Sequence, residues 1–244
     1  NNSLTKSTMK LINEDEFKKL LSMIKIEETI SGGSVANSIV GMSYLGDKVG
    51  FIGKVSDDNL GQQYEKGLEK ENVKFLYSKK KEPVPTGSCL ILITPDSERT
   101  MCTFLGTAGK INDQDIDVEN IKQAEITFLE GYLWDEGEPK KAFDKAINNS
   151  NKIAMSLSDL FCVERHKEQF LNLVKNKLDI IFSNEQEILA LIKSNSFDDA
   201  INFGKNLNKN IVITITLGFS PMKPLQCGMF PKRGQQHHCK LLCF

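Results

Sequence analysis

Long apolar runs are missing from these 244 residues: none approaches the roughly 20 residues of a bilayer-spanning helix, and the first residues show no succession of the secretory kind. A membrane partner is not expected, and the default location is cytoplasmic. A charge excess is missing too. Lysine and arginine number 31 against 32 aspartates and glutamates, so nothing recommends nucleic acid or an anionic surface as a partner. The six cysteines, at 89, 102, 162, 227, 239 and 243, include no Cys-x-x-Cys pair and no regular spacing, which argues against a disulfide framework and for reduced thiols. Internal repeats and low-complexity tracts are absent as well, and Lys79-Lys80-Lys81 reads as a solvated loop.

What remains is the pattern of one sizeable α/β domain, with 40% hydrophobic residues to fill its core. Asn13-Glu14-Asp15-Glu16 has the spacing of a capping box, and Phe17, Leu20, Leu21 and Ile24 recur at helical intervals behind it. Ser31-Gly32-Gly33-Ser34 is a turn that opens a second helix, predicted to face Ala36, Ile39, Val40 and Tyr44 inward until Gly46 stops it. Val49 to Ile52 reads as a short strand. Helices are expected around 61–71, 138–148, 163–176, 185–193 and 197–207, and strands at 126–130, 152–157, 179–183 and 211–215. Such alternation predicts a mostly parallel sheet with helices on both faces. Ser88 to Thr94 and Thr100 to Leu105, joined by Pro95-Asp96-Ser97-Glu98, break the rhythm as a hairpin, an insertion that commonly forms a lid.

Ser31-Gly32-Gly33-Ser34-Val35-Ala36-Asn37-Ser38, then Gly46, Gly50-Phe51-Ile52-Gly53-Lys54-Val55 and Asp57-Asp58-Asn59-Leu60-Gly61, resembles the first signature of the PfkB (ribokinase-like) kinases. Pro85 to Met101, Leu129 to Asp135, Leu157 to Val163 and Ile180 to Glu187 are similar in turn to later segments of that family, in its bacterial adenosine kinase-like branch. The resemblance runs from about residue 8 to Thr214. It implies a ribokinase-like three-layer α/β/α fold, mostly parallel, with a small hairpin lid at about 86–106.

The resemblance also implies a substrate and roles. The family's reaction is ATP-dependent phosphorylation of a nucleoside or sugar hydroxyl, with adenosine to AMP as the leading reading and a ribose- or fructose-type sugar as the alternative. Gly33 and Asn37 would bind sugar hydroxyls, with Gly32 supporting the turn. Met101, Thr103, Leu105, Tyr132 and Phe161 would surround a base, where stacking and burial favour a nucleoside. Arg99 would reach the transferred phosphate. Asn184 and Glu187 would order magnesium and phosphate through water; apart from the resemblance they read as a helix cap and a solvated first-turn acid.

The sequence departs from the family at both ends. No D-T-x-G-A-G-D-like run occurs, so the general base and the phosphate-cradling glycines are missing. The family's first strand, whose aspartate grips the sugar, would precede Asn1. Residues 1–214 are expected to form a kinase domain truncated at both ends, and 215–244 a non-family tail with the character of a shifted reading frame. The expectation is an inactive chain, with a non-catalytic nucleoside-binding module as the alternative and a second copy of the chain as a candidate partner. A zinc site on Cys227, His237, His238, Cys239 and Cys243 has the right ligand types and no standard spacing.

Overall fold

The computed structural model describes residues 4–78, 80–134, 137–207 and 212–216, and the backbone of 238–243. The elements begin with β1 (Met9–Leu11), α1 (Glu14–Met23), β2 (Glu28–Ser31), α2 (Ser34–Tyr44), β3 (Val49–Phe51), α3 (Asn59–Lys70), β4 (Val73–Phe75), β5 (Ser88–Ile93) and β6 (Arg99–Phe104). They continue through α4 (Val118–Gln123), β7 (Thr127–Glu130), α5 (Glu138–Asn149), β8 (Ile153–Ser156), α6 (Leu160–Asn176), β9 (Ile180–Asn184), α7 (Glu185–Ile192), α8 (Phe197–Lys205), β10 (Val212–Thr216) and β11 (His238–Cys243). Two compact units result, Asn1–Ile111 with Phe230–Phe244, and Asn112–Met229.

The first unit holds a five-stranded sheet in the order β1-β6-β5-β11-β2 and a parallel pair, β3-β4. β5 and β6 form the expected hairpin, antiparallel from Ser88 opposite Phe104 to Ile93 opposite Arg99. Period-two alternation turns Leu90, Cys102 and Phe104 to one side, where they pack with Ile12 and with Phe17 and Leu20 of α1. Burying each such side chain fully is worth about 1.5–3 kcal/mol, which anchors α1 to that face. The start of α1 is the predicted capping box: Asn13 accepts from the Glu16 N–H at 2.9 Å, and Glu16 returns the bond at 3.1 Å. A second core joins α2, α3 and the β3-β4 pair through Ala36, Ile39, Val55, Tyr64, Leu68 and Val73.

Tyr44 corrects one expectation. It is 72% exposed, because the buried stripe of α2 consists of Ala36 and Ile39 and the Tyr44 hydroxyl bonds the Glu71 carboxylate instead. Three short strands, β1, β2 and β4, the six-residue β11 and the one-turn-and-a-half helix α4 were not expected either.

The second unit is a parallel sheet, β10-β9-β8-β7, with α5 after β7, α6 after β8 and two helices after β9. Leu129, Met155 and Ile181, in register on one face, are buried. Trp134, 2% exposed, ties α5 to α6: its ring lies 5.0 Å from Phe143 and 5.8 Å from Phe170, and its N–H donates to Gln169 at 2.6 Å. An indole can be buried that deeply because its polar atom has found an acceptor.

Candidate functional site

In the first unit the site residues fall on the diglycine turn and on the hairpin. β2 ends at Ser31, and Gly33 then enters α2 with φ 106, ψ 141. That conformation strains any residue with a Cβ, which is why a glycine stands here. Gly32 is buried, and its carbonyl accepts from the Tyr64 hydroxyl at 3.3 Å. Asn37 donates its backbone N–H to the Gly33 carbonyl at 2.9 Å, and its side chain is exposed one turn into the helix.

The hairpin face opposite α1 carries Arg99, Met101 and Thr103, with Ile93, Ile91 and Cys89 directly across. β1 extends the face in parallel register, Met9 beside Met101 and Leu11 beside Thr103. Met9, Leu11 and Met101 are exposed, whereas Thr103 is buried with its hydroxyl 3.3 Å from the Cys89 sulfur. Thr103, Leu105 and Lys110 help to line a cleft of about 250 Å³, which is smaller than the roughly 300–1,000 Å³ of a typical ligand pocket. Ser31 and Ser88 stand in one row across β11, so the diglycine turn leaves the sheet about two strand spacings, ~10 Å, from the hairpin's base. Arg99 sits at the other end of β6, ~17 Å along the strand from Phe104, and is exposed.

In the second unit Tyr132, Phe161, Asn184 and Glu187 all follow the carboxyl ends of parallel strands, the end at which open α/β sheets bind ligands. Asn184 and Glu187 form a capping box, with Asn184 accepting from the Glu187 N–H at 2.8 Å and Glu187 from the Asn184 N–H at 3.0 Å. The Asn184 amide adds a third bond, to the other Glu187 oxygen, at 2.6 Å. Glu187 is not the solvated acid that its helical position alone suggests. It is 5% exposed, and burial chiefly, with the Asp159 charge, raises its pKa against the Asn184 bond. Tyr132 donates its hydroxyl to the Ser158 carbonyl at 3.2 Å, and burial first, then nearby carboxylates, pushes that phenol upward. Phe161 is 57% exposed beneath the Arg165 guanidinium, 4.4 Å from its ring centre.

Sequence reasoning did not single out Glu130. It is the last residue of β7, and burial raises its pKa to about 7. The signal was there, an acid closing a buried parallel strand. Asp58 and Tyr64 were also passed over, although each bonds a backbone group of the site region or of the hairpin base. Among the described residues no three His, Cys, Asp or Glu side chains converge as a metal cage, and the zinc reading concerns side chains outside them. Nor is any described helix long and apolar enough to cross a membrane.

The profile of the pfkB family of carbohydrate kinases matches residues 9–221. The adenosine kinase from Sinorhizobium meliloti superposes with a TM-score of 0.78 at 34% identity, over 88% of this chain and 67% of that one. A probable sugar kinase from Rhizobium etli gives 0.76 at 32% identity, over 88% and 66%. Among curated proteins, the 5-dehydro-2-deoxygluconokinase of Clostridium perfringens is 28% identical over 202 residues, 77% of this chain and 59% of its own length. That of Mesomycoplasma hyopneumoniae is 26% identical over 166 residues, 64% and 49%. The chain thus spans about half to three-fifths of the length of these two relatives. The likenesses carry the ribokinase-like α/β fold with mostly parallel sheets.

Proposed function

Since the chain belongs to the pfkB family of carbohydrate kinases, we propose that its ancestral chemistry is phosphorylation of a nucleoside hydroxyl, adenosine being the acceptor, and that the chain itself does not turn over. One observation carries the acceptor reading: a positive-φ diglycine turn opens α2 in the same sheet as a hairpin whose free face exposes Met101. In that reading the turn and Asn37 take the ribose hydroxyls, while the exposed Met101 offers surface to a base. The similarity to an adenosine kinase supports it.

ATP, when bound, supplies the phosphoryl group, with magnesium neutralising its charge. Both Glu187 oxygens are already engaged by Asn184, which fits a hydrated ion held mainly by phosphate and touched by this pair through water. Arg99 would meet the phosphate only with its hairpin tip over it. The inactivity reading concerns these 244 residues alone and is supported by their holding no D-T-x-G-A-G-D-like run, since loss of a general base costs about 10²–10⁴-fold in rate.

A sugar acceptor is the second reading, favoured by the names of the curated relatives and of the Rhizobium etli protein. The test pairs calorimetric titration of the full chain with adenosine and with ribose, in magnesium, with phosphoryl-transfer assays from ATP to adenosine, ribose and 5-dehydro-2-deoxygluconate. Weak adenosine binding without turnover is expected. Turnover of any acceptor overturns the inactivity, and ribose binding tighter than adenosine overturns the nucleoside reading.

A further inference from the structure

Helix α3 touches both halves of the first unit's site region. At its start Asp58, the N-cap, accepts from the Gly61 N–H at 2.8 Å and also from Thr86, from its N–H at 2.9 Å and its hydroxyl at 2.7 Å. Thr86 is buried, and its oxygen accepts from the Ser56 N–H at 3.1 Å. There is no slack at this joint: a Cβ on Gly61 would stand 2.0 Å from the Ser56 carbonyl oxygen and 3.0 Å from the Thr86 hydroxyl.

Thr86 is the root of the hairpin, and the two roots interlock. A Cβ on Gly87 would meet the Leu105 carbonyl oxygen at 2.4 Å; one on Gly106, whose φ is +53, would meet that of Pro85 at 2.4 Å. Thr107 donates its N–H to Pro85 at 2.9 Å, and its hydroxyl bonds Val84. Whatever holds Thr86 therefore holds β5 and β6 as one piece.

Further along, α3 grips the other partner. The Tyr64 hydroxyl donates to the Gly32 carbonyl at 3.3 Å, the Ser31 hydroxyl donates to the Tyr64 carbonyl at 3.4 Å, and a Cβ on Gly67 would lie 2.1 Å from the Ser31 hydroxyl oxygen. Gly61 and Gly67 are six residues apart, a rise of ~9 Å, which matches the ~10 Å between the rows of β2 and β5.

We propose that α3 is the strut that sets the spacing between the diglycine turn and the hairpin, with Asp58, Thr86 and Tyr64 as its positioning residues. What the strut positions, an acceptor beneath a flap, rests on the kinase reading above; the strut itself is testable without ligand. A loop that must admit an acceptor and a flap that must cover it work only at one separation; β11 ties β2 to β5 within the sheet, and α3, holding Thr86 at its N-cap and the diglycine turn from Tyr64 and Gly67, braces the same separation from outside it.

Hydrogen exchange on the full chain, read residue by residue, tests it. Thr86→Val keeps the shape, removes the hydroxyl and leaves the buried Ser56 N–H without its acceptor, so the amides of 88–93 and 99–104 should exchange about tenfold faster or more. Thr86→Ser should restore them to within about threefold of the parent. Tyr64→Phe, which removes only the hydroxyl, should speed the amides of 31–37 and also, about threefold, those of the hairpin. Amides of β7, β8 and β9 should be unchanged. If Thr86→Val does not fold, Asp58→Asn, which keeps the helix cap but weakens the acceptor, makes the same comparison. The strut is overturned if the first substitution leaves the hairpin within about twofold of the parent, if β7 to β9 accelerate equally, or if Tyr64→Phe leaves the hairpin untouched. Failure to bind adenosine would sink the nucleoside reading above and leave this one standing.

Discussion

The two units treat buried polar groups in opposite ways. In the first, Ser56, Thr86, Thr107 and the buried Lys54 are neutral partners or half of an ion pair, Lys54 lying 3.5 Å from Glu82. In the second, Glu130 and Glu187 gather at the carboxyl ends of the strands with their pKa values raised. Hydrogen bonds between neutral groups fix geometry, whereas a carboxylate drawn out of water keeps a penalty that a proton removes, even where, as at Glu187, its oxygens are hydrogen-bonded. The first unit thus holds a shape, and the strand ends of the second hold charge.

The contrast can be broken most forcefully at Trp134. Trp134→Ala should cost about 3–5 kcal/mol and loosen β7 to β9 while sparing the hairpin; amide exchange that loosened both units equally would mean that they do not behave as separate bodies. Glu130 tests the charge directly. Its carboxyl, near 4.5 ordinarily and about 7 when folded, binds its proton more tightly in the folded chain, so its contribution is undiminished below the ordinary value and lost as pH rises through 7. Glu130→Gln should therefore stabilise by about 3 kcal/mol at pH ~8 and by nothing at pH ~4, measured by urea melts; equal effects at both would deny the burial penalty. The smallest effects compare the two capping boxes. Asn13→Ala, at an exposed helix start, should cost about 1 kcal/mol. Asn184→Ala should cost about 2–3 kcal/mol, because it strips the buried Glu187 of a donor as well, and melts showing equal losses would place Glu187 in water.

Those boxes also show what a sequence discloses. Asn13-x-x-Glu16 and Asn184-x-x-Glu187 announce helix starts because the bonding is local, and the hairpin announces itself through Pro95-Asp96-Ser97-Glu98 between apolar runs. The long alternating stretch from 126 to 216 falls within a few residues of the expected strands and helices for the same reason. β1, β2 and β4 stayed hidden, since each is too short to display a period and is interrupted by a polar or charged residue (Lys10, Thr29, Lys74), without the apolar run that marks the equally short β3, β7 and β8. Tyr44 was misread because helical spacing fixes a direction but not whether a neighbour waits there. Glu187 shows the converse: its cap role is written locally, its burial only in three dimensions. Candidate positions could be nominated from the resemblance, but the strut could not, because the contacts of Asp58 with Thr86 and of Tyr64 with Gly32 cross 28 and 32 residues.

Ser158 has a consequence of its own. Its φ of 75 is a posture that a side chain resists by about 1–2 kcal/mol, and it is kept there because its hydroxyl accepts the Gly131 N–H at 2.6 Å and its carbonyl the Tyr132 hydroxyl. The segments following β7 and β8 are consequently buckled together through a single sprung residue: neither can swing away alone, and undoing the buckle would let Ser158 relax and carry Asp159, the first anchor of α6, along with it.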